Sequence, residues 1–493
     1  MKPLSGLDGS FLHLETEATP MHVASLHVFD LPPGYRGDFH ADVKKLMARR
    51  LHLAPVFQRR LAPMPLAFAN PVWVHDAHVD LDWHVQRATL PAPGGQAELE
   101  DMAARLHGEL LDRTRPLWRL YVFDGLPERD GIRQAGYYIK AHHAVLDGQA
   151  GVLLAQALFD TSPKPRVVRK PAREEPDEHP GAAALAAAAL RHDAGQYIKL
   201  VRHLPEVLRT LGGLFGTSGA GSAGAAAPRA GGNFALGPHT ALNVPITGER
   251  GFAGLSLPMA ELKRLAAAHD AKLNDIVLAL AAGALRRWLA QHGGVPRKPL
   301  IAAMPVSLRA AGDTEYTTRA TMTLVNLHTH VAHPIRRLHA IRDAAGAAKA
   351  LTGRAKNIMP TDFPSIAWPW LLHGLALAYG RSGLAGALPP IANVIISNVP
   401  GPVEPLYAAG ARMRTYWPMS IPEHGVGLNL TVMSYAGALG FGFTTARAAV
   451  PDARALARAL EAAYEELRGA TAAPVLQSRQ ERSRRSASRS SAA

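Results

Sequence analysis

Two adjacent histidines, followed closely by an aspartate and a glycine, are the residues of this 493-residue chain best suited to chemistry: His142, His143, Asp147 and Gly148. Burial lowers the pKa of a histidine, so a buried imidazole is neutral at pH 7 and can take a proton from a hydroxyl. The stretch therefore predicts a general base. Asp147 is expected to fix the turn by hydrogen bonds or an ion pair, and Gly148 gives the backbone freedom there.

The strand that precedes these residues decides which histidine faces the interior. Side chains alternate along a strand, so His143 shares one face with the apolar Ile139 and Ala141, whereas His142 shares the other face with Lys140. His143 therefore ends an apolar stripe and is predicted to project into the interior. This makes His143, rather than His142, the candidate base.

Two other interpretations of the same residues remain open. A lone histidine at a strand end is commonly structural, and paired histidines with an aspartate can bind a metal. The two histidines point to opposite faces, however, and no second cluster such as His-Glu-x-x-His occurs, so we expect no metal site. The chain has no cysteine, which excludes cysteine zinc sites, iron–sulfur clusters and a cysteine nucleophile.

Hydrophobic periodicity predicts two α/β units, residues 1–160 and residues 241–470, on either side of an irregular middle. The middle segment, 161–240, is rich in proline at its start and in Gly, Ala and Ser over 212–232. It is therefore predicted to be a long crossover, helical in its centre and flexible near its end. Residues 471–493 are rich in Arg and Ser without an apolar period, which predicts a disordered tail.

Individual elements follow from the same periodicity. Strands are expected at 22–30, 119–124, 136–143, 299–306, 320–331, 391–397, 428–435 and 439–445. Helices are expected at 39–54, 148–159 and 452–467, and from Leu273 to the Gly293-Gly294 pair. The apolar segment 366–387 is expected to be a core helix or an apolar helix at a lipid-facing surface.

The charge of the chain narrows the classes of partner. Lys and Arg number 54 against 40 Asp and Glu, a formal net charge of +14. Such an excess suits nucleic acid, an anionic membrane or a phosphorylated small molecule. Five arginines lie in the tail beyond residue 476, and the rest of the excess is spread thinly, with only 6% aromatic residues. This distribution argues against nucleic acid. The first residues lack the apolar run of a signal peptide, so a cytoplasmic protein is expected.

Residues 142–148 match the HHxxxDG motif of the CoA-dependent acyltransferase superfamily, which includes chloramphenicol acetyltransferase and the condensation domains of peptide synthetases. Further stretches resemble, in order, the signatures of the bacterial wax ester synthase/diacylglycerol acyltransferase family. They are Pro3–Asp8, Pro20–Val23, Pro116–Trp118, Leu273–Asp275, Pro305–Arg309 and Ser397–Pro402. One departure stands out, because Glu315–Ala320 occupies the place where the family usually carries Gly-Asn.

This resemblance implies two chloramphenicol-acetyltransferase-like lobes of mixed sheets with helices, joined by the crossover, with an active-site tunnel between them. It implies an acyl-CoA-dependent O-acyltransferase that makes triacylglycerol from diacylglycerol, wax esters from long-chain alcohols, or both, without an acyl-enzyme. Acyl-CoA would be a co-substrate, and no cofactor would be bound permanently. Peripheral contact with an anionic membrane or a lipid inclusion is also expected.

The resemblance also implies roles for residues of this chain. His143 would be the general base, with His142, Asp147 and Gly148 supporting its loop. Asn274 would be a candidate oxyanion donor, although an Asn at the N-cap of a helix with an Asp after it is also explained by capping alone. The other motif residues would bind substrate or hold the fold: Pro116, Leu117, Trp118, Asp275, Arg309, Ser397, Asn398, Pro400 and Gly401.

Some of these motif residues have a simpler explanation. Pro116–Trp118 favours packing over substrate contact, and Ser397–Pro402 is either a strand ending in a Pro-Gly turn or a substrate-facing loop. In the superfamily the motif aspartate typically pairs with an arginine, so the resemblance implies Arg309 as the candidate partner of Asp147. Two rival functions also remain: a condensation-type acyltransferase that uses carrier-bound acyl groups, and a catalytically silent protein that binds lipid or CoA.

Overall fold

The computed structural model describes residues 2–62, 70–146, 148–169, 236–307, 320–355 and 369–490, with a few isolated positions between 181 and 187. Several predicted features lie outside the described residues. They are Asp147, Arg309, the loop at 315–319 and most of the crossover.

The first 160 residues form one α/β lobe. Its strands are β1 (Lys2–Pro3), β2 (His22–Asp30), β3 (Arg59–Ala62), β4 (Val72–His75), β5 (Val85–Thr89), β6 (Trp118–Asp124) and β7 (Gln134–His142). Its helices are α1 (Gly6–Leu14), α2 (Phe39–Arg50), α3 (Leu81–His84), α4 (Gln96–Gly108) and α5 (Gly148–Leu158).

The second half supplies the other lobe. Its strands are β8 (Arg250–Pro258), β9 (Ile301–Ser307), β10 (Ala320–Asn326), β11 (Val394–Val399), β12 (Tyr407–Ala408), β13 (Ala411–Met413), β14 (Trp417–Met419), β15 (Leu428–Tyr435) and β16 (Ala438–Ala446). Its helices are α6 (Met259–Ala268), α7 (Leu273–Gln291), α8 (Pro334–Ala355), α9 (Pro369–Ser382), α10 (Leu384–Ala387) and α11 (Ala453–Ser490).

The larger sheet has the order β12-β13-β2-β7-β6-β5, and β14 also pairs with β2. The predicted β6–β7 hairpin is present, with Trp118 opposite Ala141. Strands β12 to β14 belong to the second half of the chain, yet they join the sheet of the first half. The two lobes are therefore interlocked. The sequence did not predict this exchange, because strands of two or three residues are too short to show a period.

The second sheet has the order β10-β9-β11-β15-β16-β8, in which β11 runs parallel to both of its neighbours. Helix α7 packs in the core of this lobe, with buried side chains along nearly its whole length. A helix that is apolar on every side needs protein on every side. Here α8 and α11 pack with α7 to provide that cover.

A buried ion pair fixes the helix that follows the two histidines. Arg50 of α2 and Asp160, just beyond α5, are each almost wholly buried, and an Arg50 Nη lies 2.7 Å from both carboxylate oxygens. The backbone of Asp160 also exchanges two 2.8 Å hydrogen bonds with Tyr407 of β12. Asp160 therefore ties α5 both to α2 and to a strand from the second half of the chain.

One segment differs from the composition-based expectation, and for another the exposure of the side chains does not fit the core-helix alternative. Helix α11 continues to Ser490, through most of the segment predicted to be a disordered tail, because Ala, Arg, Gln and Glu all favour helix. Helices α9 and α10 cover the described part of the apolar segment 366–387, and most of their side chains are exposed or partly exposed rather than in the core. None of the described helices is long and apolar enough to cross a bilayer.

Candidate active site

A cavity of about 360 Å³ is lined by residues of both sheets. Its lining comes from α1, α5 and the strands β2, β7 and β14 of one sheet, and from β11 and β15 of the other. Most lining side chains are apolar, including Leu7, Ile139, Leu154, Ile395 and Met433. Such a lining suits an alkyl chain, and the few polar groups within it are the candidates for chemistry.

His143 lies at the wall of this cavity, immediately after β7. Its backbone N–H donates a 2.8 Å hydrogen bond to the carbonyl of Met21. Its imidazole stacks on the ring of Phe11 from α1, with centroids 4.0 Å apart and an angle of 18° between the planes. Backbone and ring are thus both held, and Ile139 and Ala141 line the same cavity, as strand alternation predicts.

His142 lies on the opposite face and is fully buried. Its Nδ1 accepts a 3.0 Å hydrogen bond from the backbone N–H of Ala144. A neutral imidazole that accepts at Nδ1 carries its proton at Nε2, and Nε2 lies 3.3 Å from Oε1 of Glu15. His142 thus faces a carboxylate behind the strand.

Glu15, which the sequence reasoning missed, is the centre of that buried cluster. Its Oε1 accepts a 3.1 Å hydrogen bond from the backbone N–H of Met21, and its Oε2 accepts from Nε and Nη2 of Arg113 at 3.2 and 2.8 Å. Because Met21 also accepts from the N–H of His143, one carboxylate supports the backbone of His143 as well as the ring of His142.

The ionisation of this cluster follows from burial and contact. Burial alone would raise the pKa of Glu15, but its contacts with His142 and His22 hold that pKa well below its usual range. Burial, together with the nearby Lys140, lowers the pKa of His22 to about 4. Burial likewise lowers the pKa of Lys140 to about 7. Near neutral pH the cluster therefore holds an anionic Glu15 and a neutral His22.

Residues 116–118 hold the other edge of β7. The carbonyl of Leu117 accepts a 3.0 Å hydrogen bond from the N–H of His142. Trp118 is fully buried, stacks on His84 with centroids 4.3 Å apart, and donates from Nε1 to the carbonyl of Phe57 at 3.3 Å. Neither these two residues nor the buried Pro116 is among the residues that line the cavity. The packing interpretation is the one this geometry supports.

The start of α7 differs from the prediction. The N-cap residue is Lys272, not Asn274, and Asp275 caps the helix by accepting a 2.8 Å hydrogen bond from the Lys272 N–H. A lysine side chain cannot accept a hydrogen bond, so only one half of a capping box is present, the half in which the carboxylate three residues later accepts from the N–H of the N-cap residue. Asn274 instead accepts a 3.4 Å hydrogen bond from Nδ2 of Asn398. Two motifs that are distant in sequence therefore meet.

Residues 397–401 are both cavity wall and turn. Ser397, Asn398 and Pro400 line the cavity. Gly401 does not, but its N–H donates a 2.9 Å hydrogen bond to Oγ of Ser434. A Cβ at Gly401 would lie 2.1 Å from the carbonyl oxygen of Ser434, so only glycine fits there. Different residues of this motif therefore line the cavity and form the turn.

Among the residues from 2 to 490 that the structure describes, no three His, Asp or Glu side chains are grouped so that they could hold a metal ion.

Gly148 begins α5, the helix that follows the two histidines.

Residues 4–277 match the model of the wax ester synthase/diacylglycerol acyltransferase catalytic domain, and residues 318–468 match that of the WS/DGAT C-terminal domain. The chain belongs to this family. It is 36% identical over 477 residues to a Mycobacterium tuberculosis protein assigned by name to the diacylglycerol O-acyltransferases, covering 94% of this chain and 99% of that one. A Mycobacterium bovis relative with the same assignment is 35% identical over 457 residues, covering 91% and 87%.

Solved structures support the same family and fold. The wax ester synthase/diacylglycerol acyltransferase from Marinobacter aquaeolei VT8 superposes with a TM-score of 0.68 at 28% identity, covering 96% of this chain and 100% of that one. The starter condensation domain of rhizomide synthetase gives a TM-score of 0.53 at 12% identity, covering 96% and 94%, which shows the fold alone. The predicted two-lobed α/β architecture is thus confirmed, and the protein is an acyltransferase of the WS/DGAT type.

Proposed function

We propose that this protein transfers a fatty acyl group from acyl-CoA to the hydroxyl of diacylglycerol, of a long-chain alcohol, or of both. The products are triacylglycerol or wax ester, together with free CoA. The observation that carries this proposal is the position of His143 in the wall of a largely apolar cavity lined by both sheets. Apolar walls bind an alkyl chain with about 0.8 kcal/mol per buried methylene.

His143 is the general base in this mechanism. Its imidazole removes the proton from the acceptor hydroxyl as the oxygen attacks the thioester carbonyl. The tetrahedral oxyanion that forms then collapses, and the C–S bond breaks. The imidazolium returns the proton to the departing CoA thiolate. The acyl group passes directly to the alcohol, which suits a chain that has no cysteine nucleophile.

The other motif residues support this step. The amides of Asn274 and Asn398, which contact each other at the edge of the cavity, are the candidates for an N–H donor to the oxyanion. His142 and Glu15 contact each other on the face of β7 that points away from the cavity, and they fix the end of that strand. Asp147 and Arg309 are proposed to pair and to brace the same loop.

The test is an assay with purified protein, palmitoyl-CoA and either dipalmitoylglycerol or hexadecanol. We expect triacylglycerol or wax ester to form, with one CoA released for each product molecule. Absence of product from both alcohols would contradict the proposal. Turnover that requires an acyl group on a carrier protein, and fails with free acyl-CoA, would favour a condensation-type enzyme instead.

We further propose that helices α9 and α10 contact an anionic membrane or lipid-inclusion surface. The segment formed by these helices and the residues just after α10 carries a cluster, in sequence, of large, exposed apolar side chains: Leu375, Tyr379, Leu384, Leu388 and Ile391. Single exposed apolar residues are ordinary, whereas five within seventeen residues favour an interaction surface. Residues 369–391 contain one arginine and no acidic residue, which suits an anionic surface.

This surface adjoins the cavity. His373 of α9 donates a 3.1 Å hydrogen bond to the carbonyl of His13 in α1, and α1 also provides Leu7 and Phe11 to the cavity wall. Lipid bound at α9 and α10 would therefore reach the site over a short path. The neighbourhood of α1 and α9 is the proposed route for the acceptor.

Leu388→Glu is expected to lower the partition of the protein onto phosphatidylglycerol-containing vesicles by about tenfold or more, because a leucine loses about 1.5–3 kcal/mol of burial in the lipid and a carboxylate replaces it. Vesicle co-sedimentation measures this. Val167→Glu is the matched control, because Val167 is exposed and apolar but lies outside the cluster. Equal losses for the two variants would contradict the assignment of this surface.

A further inference from the structure

One carboxyl group in the cavity wall has no part in the reaction described above. Glu423, in the loop between β14 and β15, lines the same cavity as His143. Its side chain is accessible to solvent, although protein atoms surround it on most sides. The space to which it is accessible is therefore the cavity. Burial raises the pKa of Glu423 above its usual range.

The Glu423 carboxyl lacks the hydrogen-bond partners that other polar groups of the cavity lining have. Asn429 donates to the carbonyl of Ile421 at 3.0 Å and accepts from the Thr431 hydroxyl at 2.9 Å, so these two groups are already satisfied. Within the part of the chain that the structure describes, neither a hydrogen-bond donor nor a charged group contacts the carboxyl of Glu423. When a ligand fills the cavity and displaces water, a carboxyl left unpaired there is costly, and a ligand that pairs with it avoids that cost.

The loop that carries Glu423 is held firmly. Glu423 and Val426 exchange backbone hydrogen bonds of 3.1 and 2.9 Å across a turn in which Gly425 has a φ of 80°. The segment 243–246 fixes this turn, since Gly425 donates to Val244, Ile246 donates to Nδ1 of His424, and Asn243 donates to Gly425. The carboxyl is therefore presented to the cavity on a fixed backbone, which reduces the entropy lost on binding.

We infer that Glu423 hydrogen-bonds to an oxygen-bearing group of the acceptor other than the hydroxyl that reacts at His143, and that it thereby favours glycerides over simple fatty alcohols. This inference rests on the proposed acyl transfer. A protonated carboxyl donates to an ester carbonyl, and an ionised one accepts from a second hydroxyl. Diacylglycerol offers two ester carbonyls, whereas a long-chain monohydric alcohol offers only the reacting oxygen and would leave the carboxyl unpaired.

The pantetheine arm of CoA is the other source of polar groups that could reach Glu423. Its amides would donate to an ionised carboxyl. The two sources differ in which substrate responds to a change at this position. A contact with the acceptor alters the KM for diacylglycerol, whereas a contact with pantetheine alters the KM for acyl-CoA with either acceptor.

The experiment compares Glu423→Leu and Glu423→Gln with the native protein on dipalmitoylglycerol and on hexadecanol. In Glu423→Leu we expect the ratio of kcat/KM for the two acceptors to shift against diacylglycerol by about tenfold or more. The shift should arise in the KM for diacylglycerol. Glu423→Gln keeps a neutral N–H donor and should retain most of the preference. Glu404→Leu, which removes an exposed carboxylate that does not line the cavity, is the matched control.

A binding measurement keeps the inference separate from the proposed reaction. The methyl ether of dipalmitoylglycerol lacks the reacting hydroxyl but keeps both esters. Hexadecyl methyl ether has neither a hydroxyl nor an ester. We expect Glu423→Leu to weaken binding of the first by about tenfold and to leave the second unchanged. Equal effects on the two ethers, or a change confined to the KM for acyl-CoA, would overturn the inference. Absence of turnover in the native protein would instead overturn the proposed function.

Discussion

His143→Ala is expected to lower kcat by about a thousandfold with either alcohol, because the acceptor hydroxyl loses the base that removes its proton. The side chain lies at the cavity wall and is only half-buried, so its removal loses the stacking contact with Phe11 but little other packing. The affinity for acyl-CoA and the melting temperature should therefore change little. Turnover, equilibrium binding of palmitoyl-CoA and thermal unfolding together measure this.

His142→Ala is the informative comparison for that variant. His142 is fully buried behind the strand and contacts Glu15, so its loss should lower stability as well as activity. The two variants are therefore expected to differ, because His143→Ala should lose activity alone, whereas His142→Ala should lose stability as well. Unchanged kcat in His143→Ala would contradict the general-base role. A loss of activity that merely follows a loss of stability would mean that His143 is structural.

Glu15→Ala is expected to lower the free energy of unfolding by about 3 kcal/mol, near the lower end of the cost of breaking a buried ion pair, because its partner Arg113 is partly exposed and can return to water. It should also lower kcat by about a hundredfold, since Met21, which accepts from the His143 N–H, loses its own support. Urea unfolding and turnover measure the two effects.

The same cluster makes the protein sensitive to acid. The pKa of Glu15 is lowered by folding, so its stabilisation is complete above its ordinary value of 4.5 and is lost as the pH falls below that value. The pKa of His22 is lowered from 6.5 to about 4, so acid already destabilises the fold between these values, because only the unfolded chain takes up that proton. Stability should fall progressively below pH 6.5.

Glu15→Gln separates the two contributions to this pH dependence. The variant should lose the part below pH 4.5 and keep the part between pH 6.5 and 4, to which His22 contributes together with other buried histidines such as His27 and His84. Urea unfolding at pH 7.5, 5.5, 4.5 and 3.5 tests this, because only the last value lies in the range where Glu15 contributes. A free energy of unfolding that does not change with pH in the native protein would contradict the ionisation described for the cluster.

The elements that hold the site were largely predictable because they have a clear period. Alternation along β7 was enough to place His143 with Ile139 on the cavity side and His142 on the other. The β6–β7 hairpin and helix α7 follow from patterns long enough to be distinctive. Local patterns thus identified the face of the strand on which the candidate base lies.

What the sequence could not supply depends on contacts between distant segments. Nothing in the spacing connects Glu15 with His142, because the fold alone brings them together. The signal that could have found Glu15 is an acidic residue at the end of an otherwise apolar helix. Asn274 was assigned to the wrong capping position because the sequence does not show that Lys272 is the N-cap residue. Glu423 gave no signal, since its loop has no period.

The measurement that tests the central claim most directly is the first turnover with radiolabelled palmitoyl-CoA in the absence of any acceptor. Direct transfer assisted by His143 predicts that CoA release stays far below one equivalent per protein and that no label remains on the precipitated chain. Addition of dipalmitoylglycerol should then release one CoA for each triacylglycerol formed. A rapid burst of one equivalent of CoA, with the label retained on the protein, would show an acyl-enzyme and would contradict direct transfer.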